Sequence, residues 1–350
     1  MRSPSLALLF LVVSVVAGGA TANGFTLADT ECVWCTDLGG AYTPCPQAGE
    51  PYYGQDAQYT GAALSLQNNG DDTVSDLNTG LVWQQLLDTT YRTYEDASAY
   101  CQLLPLAGRS WRVPSMWELI TIAPYGYAST IDTFFPNMNE ALAGGSGAMW
   151  SSTVNNVLSY GSYNTYDVMK STGESTFYDE REALVTMCVS GDSIPYENYT
   201  DNGDGTVSHA GTGLMWEKTT STDSMNWGAA LAYCEAQTTG GHTDWRLPNT
   251  RELQYVLDYD SSASPTFPGV FDGKSDNYWA SSMAYTYTPY PPAMGDLAST
   301  NVRSVYTRTG YARMVPNAND TQKMYAMCVR TLGGNTSSPS TAAMNILLLD

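Results

Sequence analysis

The chain has 350 residues, of which 43% are hydrophobic and 14% charged, enough apolar material for two ordinary cores and a composition outside the disordered class. Lys and Arg number 15 against 35 Asp and Glu, a net charge of −20. That balance disfavours nucleic acid, anionic membrane surfaces and sulfated polysaccharides as partners, because each calls for a basic face.

The first residues read as a secretory signal: Arg2, an apolar run from Leu6 to Val16, then Ala20-Thr21-Ala22 as a small-residue cleavage site. This predicts a signal peptide over 1–22, an exported mature chain beginning near Asn23 that does not insert in the membrane, and an oxidising setting in which cysteines pair. Residues 23–60 follow as a leader rich in Gly, Pro and Tyr with Cys32, Cys35 and Cys45. The Cys32-Val33-Trp34-Cys35 spacing lacks the context of a redox site and a fourth zinc ligand, so a loop disulfide is expected, with one cysteine left over for a thiol or another chain.

From residue 61 the chain says everything twice. Asn69-Gly70-Asp71-Asp72-Thr73-Val74-Ser75 and Thr79-Gly80-Leu81-Val82-Trp83 return as Asn202-Gly203-Asp204-Gly205-Thr206-Val207-Ser208 and Thr212-Gly213-Leu214-Met215-Trp216 at one constant spacing, and Cys101 returns as Cys234. Further on, Trp111-Arg112-Val113-Pro114-Ser115 answers to Trp245-Arg246-Leu247-Pro248-Asn249, Trp150 to Trp279, and Met187-Cys188-Val189 to Met327-Cys328-Val329. An internal repeat outranks other signals. It predicts two domains, 61–192 and 193–332, each of ordinary size at roughly 130 residues.

Each copy opens on turn-punctuated runs that read as a β-hairpin. Asp201 and Asp204 in the second are weak calcium candidates, since Gly203 breaks the Asp-x-Asp-x-Asp-Gly spacing and no glutamate closes the loop. An amphipathic helix follows, with Trp227, Ala230, Leu231 and Cys234 on one face behind the cap Asn226, and Thr93, Tyr94, Ala97 and Cys101 as the first-copy equivalents. Ser115-x-x-Glu118 and Asn249-x-x-Glu252 are capping-box signatures that start a second helix. Each copy ends on an alternating strand bearing the last cysteine. Helix cysteine to strand cysteine then gives the expected pairs Cys101 to Cys188 and Cys234 to Cys328. The fold class is α+β, two helices on small antiparallel sheets in each of two tandem disulfide-stapled domains.

Residues 333–350 form a Gly/Ser/Thr-rich tail ending in Ala342 to Leu349, too short to span a bilayer and weak as a lipid-anchor signal. Asn198, Asn319 and Asn335 stand in glycosylation-acceptor triplets, meaningful in a eukaryotic host.

The Gly-Asp-Gly-Thr-Val, Thr-Gly-Leu-Met-Trp, Asp-Trp-Arg-Leu-Pro-Asn-x-x-Glu-Leu, Tyr-Trp-x-Ser-Ser and Cys-Val-Arg elements of the second copy together resemble the Lcl C-terminal domain family, named after the C-terminal domain of a bacterial collagen-like adhesin. The resemblance implies a C-type-lectin-like fold and an exported, surface-associated protein; for the adhesin it implies glycan binding. The adhesin's ligands are polyanionic, whereas this chain is strongly acidic and has no collagen-like tract. The first copy departs further, with Ser110 for Asp244, Ser115 for Asn249 and Ser190 for Arg330.

No catalytic set is legible. His209 and His242 are the only histidines, neither is duplicated, and both read as surface residues. The lectin-like fold also hosts formylglycine-generating enzymes, the enzymatic alternative, but the repeat cysteines read as staples. Arg112 and Arg246, each between a Trp and a Pro-containing pair, are expected to hold an internal carboxylate or carbonyls, and Trp111 and Trp245, like the other duplicated tryptophans, to lie in the core. Ligand contacts are expected where the copies differ: Tyr285, Tyr287 and Tyr290 in a second-copy insertion, with Asp244. The reading is thus an exported, non-enzymatic protein binding a glycan or cell-surface protein, with calcium the one cofactor entertained and self-association allowed. The alternative is a structural or assembly component of an extracellular layer.

Overall fold

The computed structural model describes residues 25–38, 44–125, 130–142, 147–155, 165–170, 173–260, 267–284, 301–308, 310–315 and 321–333. The signal segment, the Tyr285 to Tyr290 insertion and almost all of the tail lie outside these residues. The first copy runs β1 (Leu66–Asn68), β2 (Thr73–Asp76), β3 (Val82–Gln84), β4 (Asp88–Arg92), α1 (Tyr94–Leu103), α2 (Met116–Thr121), α3 (Thr130–Phe134), α4 (Met138–Leu142), β5 (Ala148–Val154), β6 (Thr165–Lys170), β7 (Ser175–Asp179), β8 (Leu184–Thr186) and β9 (Val189–Ser190). The second runs β10 (Tyr199–Asp201), β11 (Thr206–His209), β12 (Leu214–Glu217), α5 (Trp227–Glu235), α6 (Thr250–Tyr255), β13 (Asn277–Met283), β14 (Val302–Tyr306), β15 (Tyr311–Val315) and β16 (Val329–Thr331).

The repeat in sequence is a repeat in topology. Sheet β1-β2-β3-β9 answers to β10-β11-β12-β16, and β5-β6-β7 to β13-β14-β15, with β4 and β8 extending the first-copy sheet. Pairing is antiparallel except for β5 with β8, which run parallel through Met149 and Val185, matched by the parallel bridge Tyr278 to Tyr325. The expected two helices per copy are present, and the first copy adds α3 and α4.

The organising Trp-Arg-x-Pro segment lies along the closing strand. Arg112 exchanges both backbone hydrogen bonds with Val189, and Arg246 does so with Val329. The proline carbonyls accept from the next sheet, Ser152 to Pro114 at 2.7 Å and Ser281 to Pro248 at 2.8 Å. Helix starts then follow from the caps: Ser115 and Asn249 accept from the N–H of Glu118 and Glu252, and the glutamates accept in return. The hairpin turn needs a left-handed residue at Gly205, φ 88°, and in the first copy Asp72 takes that conformation at φ 61°.

Disulfides join Cys101 to Cys188 and Cys234 to Cys328, closing loops of 87 and 94 residues. Each cysteine of the second kind sits one residue before its strand. By chain entropy each bridge stabilises by up to about 4–5 kcal/mol. Cys35 pairs with Cys45, and the Cys32 thiol donates to the Trp34 carbonyl.

Two satellite cores surround the helix disulfides: Trp111, Trp150, Cys101 and Cys188 in the first copy, Trp227, Trp245, Trp279, Cys234 and Cys328 in the second. Two separate cores are what composition predicts, yet the largest cluster belongs to neither copy alone. It runs from Trp83 and Ile120 through Phe25 and Leu27 of the leader to Trp216 and Tyr255. The cause is that α2 and α6 are buried on every face, each packing on the other across the domain junction. The same helix position reaches across in both directions. Trp117 donates to the Leu257 carbonyl at 3.0 Å and stacks on Tyr196, and its counterpart Arg251 donates to the Ala123 carbonyl at 2.7 Å.

The leader is therefore part of the fold rather than a preface to it. Phe25 donates to Gly211 and Thr26 to Asn78, so the segment lies between the hairpin turns of the two copies. Arg251, 1% exposed, donates to the carbonyls of Ala28 and Asp29 as well.

Candidate functional site

The duplicated polar residues turn out to serve the fold. Arg112 makes a two-pronged ion pair with Glu118, and Arg246 with Glu252, at 2.6 to 2.7 Å. Each glutamate also accepts from its own cap residue's N–H, so one carboxylate holds the Trp-Arg segment and the helix start together. Trp111 and Trp245 are core residues, 4% and 1% exposed, their indole N–H groups donating to the Leu106 and Thr239 carbonyls.

Asp244 is held by Arg330, Nε to Oδ1 at 2.7 Å. The first copy has serine at both positions, Ser110 and Ser190, so the pair is absent as a unit. Ser115 in place of Asn249 is likewise one cap for another. The differences between copies at these positions exchange structural contacts, and a weakening of binding is not needed to account for them.

The calcium candidates are occupied by their own turn. Asp201 accepts from the Gly203 N–H and pairs with Lys218 at 2.8 Å; Asp204 accepts from the N–H and hydroxyl of Thr206. Among the described residues no three His, Cys, Asp or Glu side chains stand together as a metal site. Tyr285, Tyr287 and Tyr290 fall outside the described residues. The described ends of their segment are joined by the Ala284 N–H donating to Asn301 at 3.1 Å.

His209 corrects the surface reading: it is fully buried, and desolvation lowers its pKa to about 4. Its Nδ1 accepts from the Thr212 N–H at 3.0 Å. Asp76 does this for the first-copy turn, accepting from the Asn78 N–H and Thr79 hydroxyl. Two unlike residues thus fill one turn-bracing role. His242 remains half-buried near Trp245.

Among the described residues the leader forms two concave features against the second copy. The first is a polar cavity of about 150 Å³ whose lining includes Asp29, Asp56, Tyr59, Arg246, Asn249 and Glu252. Asp56 accepts from the Thr30 hydroxyl at 2.5 Å and the Ser282 hydroxyl at 2.6 Å, tying leader to β13. Burial and the neighbouring Asp29 push its pKa up to about 7, and burial raises Asp29 as well. Desolvation opposes the Arg246 charge, but Glu252 overrides it and the guanidinium stays firmly protonated. Three carboxyl groups around one arginine make a clasp that prefers to keep a proton.

The second is an open groove of about 480 Å³ between residues 49–53 and α5, within the size range of small-molecule sites. Tyr52 stacks on Trp227, ring centroids 6.0 Å apart. The approach depends on Gly228, where an added Cβ would come to 2.8 Å from the Tyr52 ring. Tyr53 and Glu50 line one side; Ala229, Ala232 and Glu235 line the other. Glu235 accepts from the Tyr59 hydroxyl, and burial raises its pKa. In the first copy α1 carries Glu95 and Asp96 in place of Gly228 and Ala229. The sequence carried this signal: a helix start stripped of the acids that its twin retains is one prepared for a neighbour.

No curated protein matches the chain. The family model described as the Lcl C-terminal domain matches residues 72–190 and again 205–330, the two stretches that the structure folds alike. The chain belongs to the Lcl C-terminal domain family and carries that domain twice.

Proposed function

We propose that the protein is an extracellular, non-enzymatic binding protein that recognises a glycan through its second domain. The observation that carries this is the asymmetry between otherwise matched copies. The polar residues common to both are committed to ion pairs and caps, whereas the second domain, with the leader, forms an open groove walled by tyrosine and carboxylate. Three disulfides fit an oxidising, extracellular setting, and among the described residues no helix is long and apolar enough to cross a membrane. The net charge of −20 favours a neutral glycan over a sulfated one.

A glycan array probed with the full exported chain, in calcium and in chelator, tests this reading. Reproducible binding to neutral glycans in both buffers is expected. Silence across the array together with self-association in sedimentation would replace it with an assembly role.

A further inference from the structure

We infer that the groove between residues 49–53 and α5 is the sugar subsite, taking a neutral pyranose ring against Tyr53 and the exposed edge of Tyr52, with Glu50, Glu235 and Asn226 meeting its hydroxyls. The inference rests on the glycan-binding reading and assigns that function a place. The leader and α5 build the groove jointly, so it exists only in the folded, full-length arrangement.

The chemistry of the walls selects the ligand class. A pyranose has one face of C–H groups, which settles on an aromatic ring, and a rim of hydroxyls, which need acceptors and donors. Tyr52 and Tyr53 supply the rings, and the former is braced from behind by Trp227, so it presents a rigid surface at little entropic cost. Glu50 and Glu235 accept from hydroxyls, and the Asn226 side chain offers an amide beside the start of α5. Two carboxyl groups in one groove disfavour sulfated, uronic and sialic acid sugars by like-charge repulsion. Gly228 admits the Tyr52 ring against the helix, and Ala229 and Ala232 leave the α5 wall low beside it. At the matching first-copy positions Glu95 and Asp96 stand exposed where the second copy has Gly228 and Ala229, and the ring stacked on Tyr94, the counterpart of Trp227, is Tyr166 of β6 rather than a leader tyrosine.

The test is calorimetric titration of the full exported chain with maltotriose, cellotriose and chitotriose, and with sialyllactose as the anionic probe. Three variants accompany it. Tyr53→Ala removes the stacking ring; Ala232→Arg fills the groove from an exposed helix position; Tyr287→Ala alters the second-copy insertion. At least one neutral trisaccharide is expected to bind, with affinity falling about tenfold or more in Tyr53→Ala and in Ala232→Arg at unchanged melting temperature, the scale of one lost aromatic contact at the centre of a site. Neutral-sugar binding that survives Ala232→Arg but is lost in Tyr287→Ala overturns the groove and leaves the glycan-binding reading standing. Preference for sialyllactose overturns the ligand class. Absence of binding to every probe, with a silent glycan array, overturns both readings, whereas array binding without any of these sugars overturns the subsite alone.

Discussion

Replacing Arg246 by methionine removes the cation paired with Glu252 in the clasp between leader and second domain. The side chains of Arg246 and Glu252 are each 8% exposed, so Arg246→Met leaves Glu252 without its ion-pair partner beside Asp29 and Asp56 around one small cavity. Breaking a buried pair from one side costs about 3–5 kcal/mol. Because the core is shared by both copies, the chain is expected to unfold as one large unit, and the loss corresponds to a fall in melting temperature of roughly 6–10 °C at pH 7. The molecule contains its own control. In the first copy Arg112 is 35% exposed while Glu118 is buried, so water reaches that pair from the arginine side and Arg112→Met should cost about 3 kcal/mol, the lower end of that range, or roughly 6 °C. Acid should narrow the gap, since protonation of Asp29 and Asp56, both raised by burial, relieves the repulsion in Arg246→Met. Scanning fluorimetry of both variants at pH 5 and pH 7 supplies the comparison. Equal losses in the two copies, or a deficit in Arg246→Met that does not change with pH, would refute the clasp.

Asp56 in the intact protein makes a related prediction. Its pKa is raised from 3.8 to about 7, so the folded state holds a proton that the unfolded state releases; the associated stability is complete at low pH and lost as pH rises from about 4 to 7. His209, lowered from 6.5 to about 4, has the opposite slope, so the difference between wild type and Asp56→Asn is the quantity to follow by thermal melts. Wild type should lose ground to Asp56→Asn as pH rises, and a flat difference would remove the shared proton. Non-reducing peptide mapping should recover Cys35 to Cys45, Cys101 to Cys188 and Cys234 to Cys328, and the Cys234→Ala, Cys328→Ala double variant should lose about 2–5 kcal/mol in urea titration. Trp245→Ala should lose about 3–5 kcal/mol, as truncation of core tryptophan does, with Tyr53→Ala near zero in the same assay. Gly228→Ala should displace the Tyr52 ring and speed proteolytic cleavage within residues 44–59, measured against wild type by mass spectrometry.

What the sequence discloses is what repetition and local physics can encode. Capping boxes at Ser115 and Asn249, the buried face of α5 and the two long disulfides are written in spacing, and the structure reproduces them. The arginines flanked by Trp and Pro were legible as internal partners, though Glu118 and Glu252 as their carboxylates were not, since those glutamates already had a helix cap to explain them. His209 read as a surface residue because a histidine facing an aspartate in the other copy looks like drift; the shared turn role needs the geometry of Thr212 and Thr79. The leader was the largest omission. Phe25, Leu27 and Asp56 are too few and too irregularly spaced to show periodicity, and their burial depends on where α2 and α6 meet, a long-range fact with no local signature. Asp244 looked available because its partner Arg330 lies far along the chain.

Hydrogen exchange of the full exported chain, with and without a saturating neutral oligosaccharide chosen from the array, tests the central claim most directly. Protection is expected in residues 49–53 and 226–236, with residues 94–104, the matching helix of the first copy, unchanged. Protection centred on residues 94–104 with none at 49–53 would contradict the assignment of recognition to the second domain.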